Sequence, residues 1–138
     1  MIRPRKKRPK MGVRIPTHIR CRGHLVWVKS RACLIEGKYS TASAGAYKHE
    51  CSDTMDPHHV HFETDGGTGI KPSDCWTIPL CRKAHDLVHF HGEDAFARMW
   101  RIGSGDASAL KTLAEQAWAL SPAGKRWRMA NEKAGGAN

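Results

Sequence analysis

Nine histidines and five cysteines in a chain of 138 residues are the side chains best suited to chemistry, and several of them cluster mid-chain. The stretch DPHHVHF (56–62) sets His58 beside His59, and PLCRKAHDLVH (79–89) places His85 and His89 four residues apart. On a helix, positions i and i+4 lie on one face about a turn apart, so His85 and His89 can chelate one ion. A third imidazole from the segment before them completes a three-donor site and leaves a position open for water or substrate. Successive residues of a strand point to opposite sides. Of two adjacent histidines, one can therefore bind metal while the other faces substrate. An imidazole that is neutral near pH 7 is suited to taking a proton from water.

Those donors require a hairpin and a helix to hold them. VHF at 60–62 suits a short strand. GGTGIKPSD (66–74) is a turn, with Pro72 barring helix at Lys71. WTIPLC (76–81) predicts a second short strand, with Pro79 at an edge or strand end. From Arg82 the period becomes helical, with Ala84, Leu87, Val88 and His91 on one side and a stop at Gly92. EDAFARMWRI predicts a helix with Phe96, Met99 and Trp100 as its apolar face. Residues 106–120 predict another, with Leu110, Leu113, Ala117 and Leu120 on one stripe. Ser121-Pro122 starts a last one carrying Lys125, Arg126, Trp127 and Arg128. Upstream, 24–35 holds two short apolar stretches, each helix or strand, and 37–55 predicts an extended loop. The expected class is α+β.

Charge divides the chain differently. Residues 1–31 hold 11 Lys or Arg and no acid, whereas the remainder holds 12 basic and 13 acidic residues. The body is nearly neutral. Residues 1–16, broken by Pro4, Pro9 and Pro16, predict a disordered basic arm in which Arg3, Arg5, Lys6, Lys7, Arg8 and Lys10 gain counterion-release free energy on a phosphate backbone. Lys71 and the backbone amides of the GGTG turn are further candidates to approach a phosphate. No apolar run nears the roughly 20 residues of a bilayer span, and no hydrophobic stretch follows the basic N-terminus. A cytoplasmic location is expected, with no membrane partner. Reduced thiols or metal ligands follow for Cys21, Cys33, Cys51, Cys75 and Cys81.

The ordered series DPHHV, GGTGIKPSD and IPLCRKAHDLVH resembles the HNH (ββα-metal) endonucleases, in particular the phage Ref type, the RecA-dependent recombination nucleases, over residues 24–100. The pattern of HH with HxxxH is similar to the nuclease domains of colicin type. The resemblance implies a ββα-metal core at 17–103 with a helical extension at 104–138. It implies His58, His85 and His89 as ligands of a catalytic divalent metal (Mg, Mn, Ni or Zn), with Asp56 competing for the first position. It implies His59 as general base, oriented by Asp74 in place of the family's middle Asn. DNA is the implied substrate, with a bacterial or phage recombinase filament as a further partner. Many such domains also carry a structural zinc on two CxxC pairs. Here Glu36 and Ala84 stand where the second cysteines would fall, leaving Cys33, Cys51 and Cys81 with either Cys75 or His49 as fourth ligand. His18, His24, His61 and His91 carry no motif role. The competing expectation is a non-catalytic zinc-stabilised module that binds nucleic acid.

Overall fold

The computed structural model describes residues 18–41, 46–67 and 69–135, with side chains through 132. The basic arm residues Arg3, Arg5, Lys6, Lys7, Arg8 and Lys10 lie outside the described residues. Among the described residues the chain forms five α-helices and one two-stranded antiparallel hairpin, a mixed α+β arrangement. The helices are α1 (Arg22–Lys29), α2 (Arg82–His91), α3 (Glu93–Met99), α4 (Ala107–Leu120) and α5 (Pro122–Gly135).

Of the two apolar stretches at 24–35, the first lies in α1, which buries His24 and Val28 one turn apart, whereas the second, expected as helix or strand, forms a turn that begins at Leu34. The hairpin pairs β1 (His58–His59) with β2 (Thr77–Ile78), His58 opposite Ile78 and His59 opposite Thr77. Backbone bonds lengthen it at both ends: Asp56 N–H donates to Leu80 O, Val60 N–H to Trp76 O and Arg82 N–H to Thr54 O, each at 2.8 Å. The first strand was expected at 60–62, but pairing stops at Val60. The amides of His61 and Phe62 donate instead to the carboxylate of Glu93, at 2.9 and 3.0 Å, so they are not available to a partner strand. The Gly-rich turn closes on itself, with Gly67 and Ile70 exchanging backbone bonds at 3.1 and 2.9 Å. The Gly67 amide is thus spent within the turn, so the expected GGTG amide cradle for a phosphate does not include it. Gly66 is required there by space, since a Cβ would stand 2.5 Å from Pro72 Cγ.

Helix α2 starts at Cys81, whose sulfur accepts the Ala84 amide, and ends at Gly92. Gly92 has φ +87°, a left-handed conformation that glycine adopts without a Cβ penalty. The turn there leads into α3, whose first residue, Glu93, reaches His58 of β1 and the amides that follow it. Phe96 and Trp100 of α3 are fully buried, as the spacing predicts. Helix α4 buries Ala107, Leu110 and Ala114, a stripe at i, i+3 and i+7, while Leu120 at its exposed end and His91 at the end of α2 face out. Ser121 caps α5 as predicted, its hydroxyl accepting the Gly124 amide at 3.0 Å.

One core joins these parts. Val60, Ile78 and Leu80 of the hairpin segment pack with Ala84 and Val88 of α2, Phe96 and Trp100 of α3 and Leu110 and Ala114 of α4. Each large side chain fully buried in this way contributes on the order of 1.5–3 kcal/mol. Burial of α2 along Ala84 and Val88 leaves its His85–His89 edge facing outward over the hairpin.

Candidate metal centres and cleft

Helix α2 carries donors of two separate clusters. At its first turn, Cys33, His49, Cys51 and Cys81 each offer a ligand atom within 4.8 Å of the others. One to two turns further on, His85 and His89 do the same with His58 from β1. The hairpin, the helix and the loops carrying Cys33, His49 and Cys51 together bring these seven residues into two sites.

The thiol cluster settles the choice of fourth donor. His49, one of the two expected alternatives, stands with the three cysteines, its Nε2 3.3 Å from Cys81 Sγ. Cys75 lies elsewhere, half-buried beside the turn of 74–76, with its thiol pushed up to about 11, mainly by burial. Its place in the hairpin explains the difference: Cys75 precedes β2 at the end away from Cys81, so the strand separates them. The bridge pairing of Tyr39 with Lys48 returns the loop 37–55 on itself and delivers His49 and Cys51 to the start of α2. Burial works against ionisation of Cys81, but the Ala84 and Ser52 amides, the Ser52 hydroxyl and His49 bring its thiol down to about 6. Burial raises Cys33, and burial together with the negative charge on Cys33 and Cys81 pushes Cys51 up to about 12. A coordinated cation reverses such repulsion and deprotonates the thiols. A Cys3His donor set is one that tetrahedral structural zinc takes, and this cluster fits it.

In the histidine cluster, His58 and His85 each have one ring nitrogen engaged outside the cluster. His85 Nδ1 donates to the Asp56 carbonyl at 2.8 Å, leaving Nε2 with a free lone pair, 2.7 Å from His89 Nε2. His58 Nε2 meets Glu93 Oε2 at 2.7 Å, with both side chains largely buried. Burial alone would raise the Glu93 carboxyl, but the bonds from His58, His61 and Phe62 hold it below its usual value. An ionised carboxylate can only accept, so His58 Nε2 carries the proton and Nδ1 keeps its lone pair. Such carboxylate and carbonyl partners fix the orientation of metal-binding histidines. Glu93 is a residue the motif reading missed. Its only sequence signal is position, directly after the glycine that ends the histidine-bearing helix. Asp56, the competing first ligand, does not join the cluster. Its carboxylate pairs with Arg82 at 2.7 Å, and its carbonyl serves His85.

His59, on the opposite side of β1, meets Asp74 instead. Its Nε2 lies 2.8 Å from Asp74 Oδ1, and the Cys21 amide donates to Asp74 Oδ2 at 2.7 Å. Arg20 stands 3.7 Å from the same carboxylate. Burial raises Asp74, but the bonds from His59 and Cys21 and the Arg20 charge bring it below its usual value. His59 therefore donates from Nε2 and presents an unprotonated Nδ1. Burial draws the His59 imidazole below its ordinary value, opposed by the Asp74 hydrogen bond and aided by the Lys71 charge.

Both histidine groups open on one cleft of about 350 Å³, lined by His58, His59, His85 and His89 with Lys71 and Lys29. His61, which was given no role, also lines it. The arrangement can hold a cation on three imidazoles and offer a neutral imidazole base beside it.

Residues 5–120 match the family described as "Protein of unknown function (DUF968)", and the chain belongs to that family. The chain is also similar to the uncharacterized protein YdfU of Escherichia coli (strain K12), 33% identical over 63 residues, which are 46% of this chain and 14% of that protein. The chain thus spans a small part of the length of that curated relative. No solved structure matches. Among the described residues, no helix is long and apolar enough to cross a membrane.

Proposed function

We propose that the chain is a metal-dependent endonuclease that hydrolyses phosphodiester bonds in DNA, built on the ββα-metal (HNH) plan. The reading rests on one observation above others: His58, His85 and His89 converge beside the His59–Asp74 pair on a single cleft. The order hairpin, then helix, with two adjacent histidines on the first strand, supports the same plan.

In this reading His59 Nδ1 takes the proton of a water as its oxygen attacks phosphorus in line with the leaving 3′-oxygen. Asp74 holds the ring through Nε2 and stabilises the imidazolium that forms. His58, His85 and His89 would hold a divalent cation, which would supply Lewis-acid stabilisation of the charge on the phosphoryl oxygens and the leaving group. Three imidazoles favour Zn, Ni, Co or Mn over Mg, which prefers oxygen donors. Lys71 at the mouth neutralises a phosphate of the bound strand. A recombinase filament as partner and a place in phage or bacterial recombination belong to the same proposal, supported by the resemblance in motifs alone.

The test is plasmid cleavage by His59→Ala in buffers containing Mg, Mn, Ni or Zn. Cleavage is expected to fall by about 10²–10⁴-fold, the usual contribution of a general base, with metal content and melting temperature unchanged. Unchanged cleavage by a folded variant sinks the mechanism. A second reading, a non-catalytic zinc-stabilised module that binds nucleic acid, draws on the Cys3His cluster, which needs no chemistry at the histidines. It predicts DNA binding without any cleavage by the parent protein.

A further inference from the structure

We propose that Lys29 and Lys71 form a two-cation seat for consecutive phosphates of a DNA strand lying across the histidine cleft, an assignment that rests on the nuclease reading above. Lys29 is the last residue of α1, and no sequence motif marks it. It nevertheless lines the same cleft as His58, His59, His85, His89 and Lys71. Both lysines are exposed, and among the described residues neither forms an ion pair.

The charge they present is not cancelled locally. Asp56, the carboxylate on the cleft wall, is paired with Arg82 at 2.7 Å, and Asp74 is occupied by His59, the Cys21 amide and Arg20. The lysines are left as the uncompensated positive charges at the mouth. Their carriers are also fixed. Arg20 donates to the carbonyls of Lys71 and Pro72 at 2.8 and 2.6 Å, which pins the backbone of Lys71 to the strap leading into α1. Lys29 rides on a helix anchored by buried His24 and Val28. Leu25, one turn before Lys29 and on the same face, lines the cleft with Pro57 and offers an apolar surface to the sugar between two phosphates. An ammonium is a point charge that attracts phosphate without demanding one geometry. Two of them, on separate elements flanking the histidines, suit a backbone read by spacing and not by base sequence.

The seat is tested by fluorescence anisotropy on a labelled DNA duplex with the full chain in its metal-loaded form, in a His59→Ala background so that binding is read without cleavage. Lys29→Glu and Lys71→Glu are each expected to raise Kd about tenfold and to lower the slope of log affinity against log salt by about one, as loss of a phosphate contact does. Lys29→Arg is expected to restore binding to within about twofold, since the charge is kept. Lys83→Glu, the same charge change beside His49, separates local contact from net charge. Parent-like binding by Lys29→Glu overturns the seat, and so does an equal loss with Lys83→Glu. If Lys29→Glu binds normally while His59→Ala has lost cleavage, the seat fails and the nuclease reading stands. If the parent never cleaves but its binding depends on Lys29, the nuclease reading fails and the seat survives as a DNA-binding surface.

Discussion

The two donor clusters on α2 differ in nearly every property that decides what a metal does. The Cys3His cluster has four donors from three separate stretches of chain, Cys33, the 49–51 loop and the helix start, and its sulfurs crowd one another. Four protein donors leave no place for substrate. The histidine cluster has three imidazole donors, opens on a cleft, and stands beside the His59–Asp74 pair. A closed, charged set ties distant segments together, whereas an open, neutral set leaves a coordination position for chemistry. On the reading proposed above, the first would maintain the fold and the second would carry the chemistry.

The sharpest way to break that contrast is to damage each cluster and compare. Cys33→Ser is expected to abolish cooperative thermal unfolding or lower the melting temperature by more than about 15 °C, because structural zinc contributes about 10 kcal/mol or more to small domains. Circular dichroism melts with elemental analysis check it, and a variant that melts like its parent refutes the structural role. His89→Ala, at an exposed position, is expected to leave the melt within about 3 °C, as surface substitutions do. Cleavage of plasmid DNA should nevertheless fall by at least about 100-fold through loss of metal affinity. A parallel drop in both quantities would erase the distinction between the sites.

Glu93→Gln sharpens the comparison further. Gln keeps an acceptor but loses the charge that fixes the His58 tautomer, so affinity at the histidine site should weaken about 10- to 100-fold. Competition with a fluorescent chelator reads this, and the thiol site should stay loaded. The smallest effect is expected far from either cluster. The Ser73 hydroxyl and amide bonds, with the His18 charge nearby, hold the Asp65 carboxyl below its usual value against burial, which raises it. Its folded pKa is depressed, so its stabilisation is present above the unfolded value near 4 and is lost as pH falls through the folded value. Asp65→Asn should therefore melt slightly lower at pH 6 and show a shallower decline below pH 4 than the parent, followed by scanning calorimetry. An identical acid profile would remove the role of Asp65.

Local patterns carried much of this in the sequence. The i, i+4 histidines of α2, the Ser121-Pro122 cap, the apolar stripes of α2 and α3 and the turn at 66–74 depend on neighbours within a few residues. So does the alternation that sends His58 and His59 to opposite sides. What was not legible depends on chain reversals. His49 rather than Cys75 joins the thiols because of how the 37–55 loop folds back. Glu93 reaches His58 because Gly92 turns α3 under the hairpin, and that contact in turn shortens the first strand from its expected place at 60–62. Lys29 faces the cleft only through the packing of α1. Each of these is a long-range placement with no periodic signal.

One helix holding donors for both clusters has a thermodynamic consequence. Cys81, His85 and His89 stand at the start of and along one helix, so fixing α2 at its first turn would also restrain the histidines a turn or two beyond. Linkage requires this coupling to be reciprocal. Whatever factor occupancy of the thiol cluster would add to cation affinity at the histidine cluster, occupancy of the histidine cluster would add in return. Loading of the two sites would then be linked, with the grip of one depending on the occupancy of the other.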